Sequence, residues 1–191
     1  MKFIEIDGKL GVVNKTGKIM FFLPDEYRGY DYIKIEDKDF RVRDGLLKVA
    51  LYMNSENDDD VIYNGKLSGK RGLIDKKGKV ILPIKYESIT YFESEDGHID
   101  PELIKIGLDY KYGLLDERGK IILPAEYDHI KDFGDGLLEI ELNRKYGLVD
   151  RTGKIVLPVK YNEIIGFYKD DKKKIVAILD GNSKIVEIER N

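Results

Sequence analysis

Two histidines, a recurring aspartate and a set of tyrosines are the side chains of this 191-residue sequence most open to chemistry. His98 stands in an acidic stretch. His129 occupies a slot that sister segments fill with Ser88 and Glu163, so neither position demands an imidazole and both read as structural or surface residues. Asp75, Asp116 and Asp150 recur, each with a glycine three residues on (Gly78, Gly119, Gly153). That spacing belongs to a tight turn rather than to a general acid and its base. Asp58-Asp59-Asp60 offers oxygen ligands to a hard cation but lacks the alternating spacing and the glycine of a calcium loop, and reads as solvated. With no cysteine, disulfides, thiolate zinc sites and cysteine nucleophiles are all excluded. No Gly-x-Ser-x-Gly elbow, P-loop or His-Glu-x-x-His occurs, and Gly134-Asp135-Gly136 is followed by no helix that would make it a phosphate cradle. The sequence therefore predicts no catalytic residue, no metal and no cofactor.

The elements that carry these residues are repeats. Arg71-Gly72-Leu73-Ile74-Asp75-Lys76-Lys77-Gly78-Lys79-Val80-Ile81-Leu82-Pro83 returns as Tyr112–Pro124 and again as Tyr146–Pro158. An earlier copy runs from Leu10 to Met20 and reaches its proline late, at Pro24. Each full copy continues Pro-x-x-Tyr-x-x-Ile-x-x-Phe, through Tyr86, Ile89 and Phe92, through Tyr127, Ile130 and Phe133, and through Tyr161, Ile164 and Phe167. A half repeat over 176–190 closes the series. One domain of about four and a half units, with repeats starting near 10, 71, 112 and 146, accounts for residues 1–191.

The anchor glycines Gly11, Gly72, Gly113 and Gly147 are spaced 61, 41 and 34 residues apart. The excess marks two insertions, which repeat proteins place in loops, often on a binding face. One contains Glu56 and Asp58–Asp60, the other Glu93, Glu95 and Asp96, and both are acidic.

Every repeat reads as strand. Asp or Asn opens a type I turn and glycine takes the left-handed position of a bulge, in Asn14–Gly17 as in the three aspartate copies. Pro83, Pro124 and Pro158 belong at a strand end or sheet edge. A strand over Tyr127–Phe133 then turns at Gly134-Asp135-Gly136 into Leu137–Leu142, where Leu138, Ile140 and Leu142 alternate with Glu139 and Glu141 as in a half-buried strand. Phe3–Ile6 supplies the matching strand ahead of the first repeat.

This pattern resembles the WG-repeat family of bacterial β-repeat proteins in its Gly-x-x-Asp-x-x-Gly-Lys segment, its proline and its tyrosine, over about Leu10 to Val186. It departs at the tryptophan, replaced by Leu10, Arg71, Tyr112 and Tyr146, and at the acid after the tyrosine, which is Asp128 in one copy but Glu87 and Asn162 in the others. The resemblance implies a β-repeat scaffold and protein–protein interaction rather than a reaction. A single meander cannot bury its apolar face alone, so units must stack. The expected fold is all-β: tandem antiparallel β-meander repeats stacked as an elongated twisted β-solenoid-like array, with a small β-propeller as the alternative.

Composition narrows the function. Lys and Arg total 33 against 36 Asp and Glu, a net charge of −3, which argues against a nucleic-acid binder. Lys172–Lys174 is flanked by Asp170 and Asp171, too small and too neutralised to change that. No apolar run of about 18 residues spans a membrane, and the charged start leaves no signal-peptide core, so a cytoplasmic protein is expected. The in-register tyrosines Tyr86, Tyr127 and Tyr161 read as packing wedges. Tyr52, Tyr63 and Tyr91, in or near the insertions, read as contact residues, because tyrosine gives interface area at low entropic cost. The expected function is a non-enzymatic interaction module. Its narrower form is a cytoplasmic inhibitor or immunity-type protein that binds a basic partner through Tyr52, Glu56, Asp58, Asp59, Asp60, Tyr63, Tyr91, Glu93, Glu95 and Asp96. A carbohydrate- or small-ligand-binding scaffold, with aromatics beside carboxylates, is the alternative.

Overall fold

The computed structural model of the chain describes residues 2–14, 16–25, 32–35, 47–52, 69–75, 77, 79–169 and 172–187. Its local structure starts from one turn, used repeatedly. In the third full repeat Asp150 Oδ1 accepts the Thr152 N–H (2.9 Å), the Thr152 hydroxyl (2.7 Å) and the Lys154 N–H (3.0 Å). The backbone closes from Asp150 N to Lys154 O at 2.9 Å and from Gly153 N to Asp150 O at 3.0 Å. Gly153 has φ +86°, a region that L side chains avoid. Asp116 repeats the arrangement with the N–H groups of Arg118 and Lys120, both at 2.9 Å. Asn14 does the same for Thr16 and Lys18 with a neutral side chain.

These turns join strands into antiparallel meanders. The first is β1 (Lys2–Ile6), β2 (Lys9–Val13) and β3 (Ile19–Phe22); the second is β4 (Tyr32–Ile35), β5 (Leu47–Tyr52), β6 (Lys70–Ile74) and β7 (Val80–Tyr86). The third is β8 (Ser88–Glu93), β9 (Ile99–Leu108), β10 (Lys111–Asp116) and β11 (Ile121–Tyr127). The fourth is β12 (His129–Gly134), β13 (Leu137–Leu142), β14 (Lys145–Asp150) and β15 (Ile155–Tyr161), and the fifth is β16 (Glu163–Lys169), β17 (Lys172–Leu179) and β18 (Asn182–Glu187). Strands in each sheet lie in chain order. The protein is all-β, a repeated β-meander array whose described elements are all strands. Among the described residues no helix is long and apolar enough to cross a membrane.

The sheets are out of phase with the sequence repeat. The sequence predicts one strand over Tyr127–Phe133, but Tyr127 ends β11 and His129 begins β12, with Asp128 between them. A four-stranded sheet thus takes its first two strands from one repeat and its last two from the next. Pro83, Pro124 and Pro158 lie inside the edge strands β7, β11 and β15, which continue three residues beyond them.

That continuation explains the anchor glycine. On β14–β15 the register jumps from Leu148↔Leu157 to Tyr146↔Tyr161, so Pro158-Val159-Lys160 bulge opposite the single residue Gly147. A Cβ on Gly147 would lie 2.8 Å from Leu157 O and 2.9 Å from Val159 N. The same jump occurs at Gly72. In the first repeat, whose proline comes late, Gly11 pairs with Phe22 in regular register, and a Cβ on it would first meet the Phe22 ring, at 3.2 Å.

The chain forms two compact units. One comprises Met1–Phe92, Asp100–Asp109 and Leu114–Ile121, the other Glu93–Ile99, Tyr110–Gly113 and Ile122–Asn191. The first is filled by Val12, Leu73, Ile74, Leu82, Tyr86, Ile89, Ile104 and Leu114. In the second, Leu137, Leu148, Leu157, Tyr161, Ile164, Ile175 and Ala177 form one cluster that joins the fourth and fifth sheets. Tyr161 is the wedge in that cluster. Burial grades the repeated Phe: Phe92 is 3% exposed, Phe133 half-buried and Phe167 39% exposed.

Strand β13 corrects the sequence reading. Leu137 to Ile140 are all buried, Glu139 among them. As an inner strand with both faces covered over this stretch, β13 has no polar side there. Glu139 sits opposite Leu148 and pairs with Lys131 from β12, Nζ to Oε1 at 3.0 Å.

Candidate interaction surface

The recurrent polar residues are consumed by the framework. Asp75, like Asp116 and Asp150, holds its turn, taking the N–H groups of Lys77 (2.8 Å) and Lys79 (2.9 Å). The Thr152 and Lys154 bonds keep the Asp150 carboxyl below the usual range against burial, which acts the other way. The residue after each wedge tyrosine splices one sheet to the next. Its N–H reaches the following sheet, Glu87 to Gly107 O (2.9 Å), Asp128 to Glu141 O (2.8 Å) and Asn162 to Ile178 O (2.7 Å).

Its side chain then finds two kinds of partner. Asp128 Oδ2 accepts the Asn143 N–H at 2.7 Å while Oδ1 takes the Lys111 ammonium. The lysine, and after it the Asn143 N–H, hold this carboxyl below its ordinary range. Asn162 Oδ1 accepts the Asp180 N–H at 2.9 Å. Glu87 pairs with Lys70 at 3.0 Å. The lysine before the anchor glycine's neighbour (Lys70, Lys111) is therefore part of the repeat, a signal visible in the sequence as Lys-x-Gly but not used in reading it.

Two of the four residues that stand in the tryptophan position, Arg71 and Tyr112, act in different ways. Arg71 donates from Nη1 to Gly69 O (2.9 Å) and Glu87 O (2.6 Å), so a guanidinium stitches backbone where a ring would pack. Tyr112 stacks on His129 with centroids 6.4 Å apart and planes 28° from parallel. His129 is exposed apart from this stack.

Of the expected contact residues, Glu56, Asp58, Asp59, Asp60 and Tyr63 lie outside the described residues, and Tyr52 is described only as the last backbone position of β5. Tyr91 is half-buried on β8. Glu93, Glu95 and Asp96 are exposed. They flank or form a turn, Ser94–His98, that copies the repeat's own: Ser94 N bonds His98 O and Gly97 N bonds Ser94 O, both at 2.9 Å, with Gly97 at φ +82°. Asp96 closes it from within, accepting the Ser94 hydroxyl and the His98 N–H (3.2 Å). Those bonds, the Ser94 hydroxyl first, keep its carboxyl below the usual range. The second insertion thus lengthens the β8–β9 hairpin, the counterpart of β12–β13 in the next sheet, and leaves Glu93 and Glu95 outward.

Glu95 also acts on Lys131. The Glu139 carboxylate, through its hydrogen bond, raises the Lys131 ammonium above its ordinary value, and the charge of Glu95 adds to the effect. Among the described residues no group of three or more His, Asp or Glu side chains is arranged to hold a metal ion.

Comparison with known proteins finds a match to the family described as WG containing repeat over residues 72–98, 112–146 and 146–177, the three full copies seen in the sequence. No curated protein matches the chain.

Proposed function

We propose that this chain, which belongs to the WG-repeat family, is a non-enzymatic interaction module that binds a basic protein partner. The observation that carries this reading is the Ser94–His98 turn. Its backbone is fixed by the same bonds that fix the repeat's structural turns, yet it caps a hairpin whose second strand, β9 at 10 residues, is longer than its 6-residue counterpart β13. A turn of this kind presents Glu93 and Glu95 at defined positions without the entropy cost of ordering a loose loop on binding. Carboxylates so placed steer a basic partner and raise its rate of association at low salt. In its narrower form the module is an immunity-type inhibitor that holds a basic toxin or nuclease domain in the cytoplasm.

The test is capture from a lysate of the source organism at low and moderate salt, followed by mass spectrometry, with wild type beside the Glu93→Gln/Glu95→Gln variant. Neither side chain makes a turn bond, so the variant keeps the fold. The expected result is a stoichiometric basic protein on the wild type, released as salt rises and depleted on the variant. A partner retained equally by both forms would contradict the reading, as would an empty wild-type column.

A further inference from the structure

The closing strands of the sheets are not protected alike. Pro83, Pro124 and Pro158 lie in β7, β11 and β15, where each removes one N–H from a sheet edge that another chain could pair with. In β3, the closing strand of the first sheet, Phe22 stands at that place, four residues after Lys18 as Pro158 stands four after Lys154. The preceding pairs agree, Phe21 opposite Val12 and Leu157 opposite Leu148, and the bulge before them is common to both strands. Leu23 donates its N–H inward to Leu10 O at 2.8 Å. Backbone groups alternate sides along a strand, so the N–H and C=O of Phe22 face away from β2. The edge is also apolar. Ile19, Met20 and Phe22 are 40%, 37% and 42% exposed, whereas Ile81, Ile122 and Val156, at the place of Met20, are half-buried. A Cβ on Gly11 would meet the Phe22 ring and Ile4, so an apolar row runs from Ile4 over Gly11 to Phe22 and ends at the edge.

We propose that β3 pairs antiparallel with β3 of a second copy of this chain, across a two-fold axis at Phe22. An identical strand fits this edge on three counts. The outward groups of Phe22 are self-complementary, each copy donating its Phe22 N–H to the Phe22 carbonyl of the other. The apolar row then continues through an aromatic cross-strand pair into the second copy, covering the exposed ring. Charge agrees at the ends. Lys18 precedes the strand and Asp25 follows it, both exposed, and antiparallel pairing brings the lysine end of one copy beside the aspartate end of the other. One strand pair is a small interface beside the roughly 1,600 Å² of a standard one, so the dimer forms in the micromolar rather than the nanomolar range. It involves neither Glu93 nor Glu95 and does not depend on the acidic-turn reading.

The experiment is analytical ultracentrifugation of the full chain from about 1 to about 200 μM, with far-UV circular dichroism as the check on folding. Wild type is expected to show a monomer–dimer equilibrium that closes at two. Phe22→Pro restores the repeat's own proline and removes the reciprocal donors, and Phe22→Lys keeps the N–H but sets like charges opposite each other. Each should weaken dimerisation about 10-fold or more with an unchanged circular dichroism spectrum. Ile155→Lys, a charge on the proline-bearing edge strand β15, should dimerise as wild type does. The proposal is overturned by a wild type that stays monomeric throughout, by growth past the dimer, or by Phe22 variants that dimerise unchanged. Loss of the dimer in Ile155→Lys would also overturn it, by placing the interface elsewhere.

Discussion

Asn143 donates its backbone N–H to Asp128 Oδ2 at 2.7 Å, across the break between the third and fourth sheets. In the next repeat Asp180 donates to Asn162 Oδ1 at 2.9 Å in the same way. In these two repeats the side chain that follows the tyrosine is thus a splice, tying the end of one meander to the turn of the next, whereas Glu87 pairs with Lys70 of its own sheet. Asn162 shows that the role needs an acceptor, not a charge. Asp128→Ala is expected to lower the melting temperature by about 2–4 °C, and Asp128→Asn to lower it less, as checked by thermal unfolding of the two variants.

The anchor glycine should divide the repeats. Gly147→Ala forces a methyl against Leu157 O and the bulged Val159 backbone, and is expected to cost about 1–3 kcal/mol or more. Gly11→Ala meets only the movable Phe22 ring and should cost less than about 1 kcal/mol. Urea unfolding of both variants measures the difference, and equal costs would refute the bulge argument.

The buried pair should be asymmetric. Lys131→Met leaves the Glu139 carboxylate buried without its cation, at an expected cost of about 1–3 kcal/mol. Glu139→Val removes the acid itself, and Val176 fills the matching position on β17, opposite Ile185 as Glu139 is opposite Leu148. It should cost less than the lysine variant or stabilise the fold, which denaturant midpoints will show.

Stability should fall in acid. Asp96, Asp128 and Asp150 all have carboxyls held below their ordinary range in the folded protein. A lowered folded value means that the stabilisation is present above the unfolded value, about pH 4, and is lost as pH drops through the folded one. Unfolding midpoints measured from about pH 5 to about pH 2 should therefore decline. Asp150→Asn reproduces the turn that Asn14 already makes in the first repeat. It should flatten the decline while leaving the neutral-pH midpoint nearly unchanged.

The hairpin turns were legible in the sequence because their chemistry is local: Asp150, Gly153 and Lys154 fix the loop among themselves. The phase of the sheets was not. A cyclic pattern looks alike from any starting point, and only the hydrogen bond from Asp128 N to Glu141 O shows that the chain changes partners there. Glu139 misled because a charge in an alternating strand reads as solvent-facing, while coverage of both faces of β13 comes from the assembled sheet. Glu93, Glu95 and Asp96 stand out in the sequence by their acidity, yet nothing in composition says that Asp96 closes a turn and the two glutamates stand outside it.

The most direct test of the central claim is the association rate of the captured partner as a function of ionic strength, for wild type and Glu93→Gln/Glu95→Gln. Steering by the acidic turn predicts a wild-type rate that falls steeply with salt and a variant rate that is slower at low salt and flatter. Coincident curves for the two proteins would contradict it.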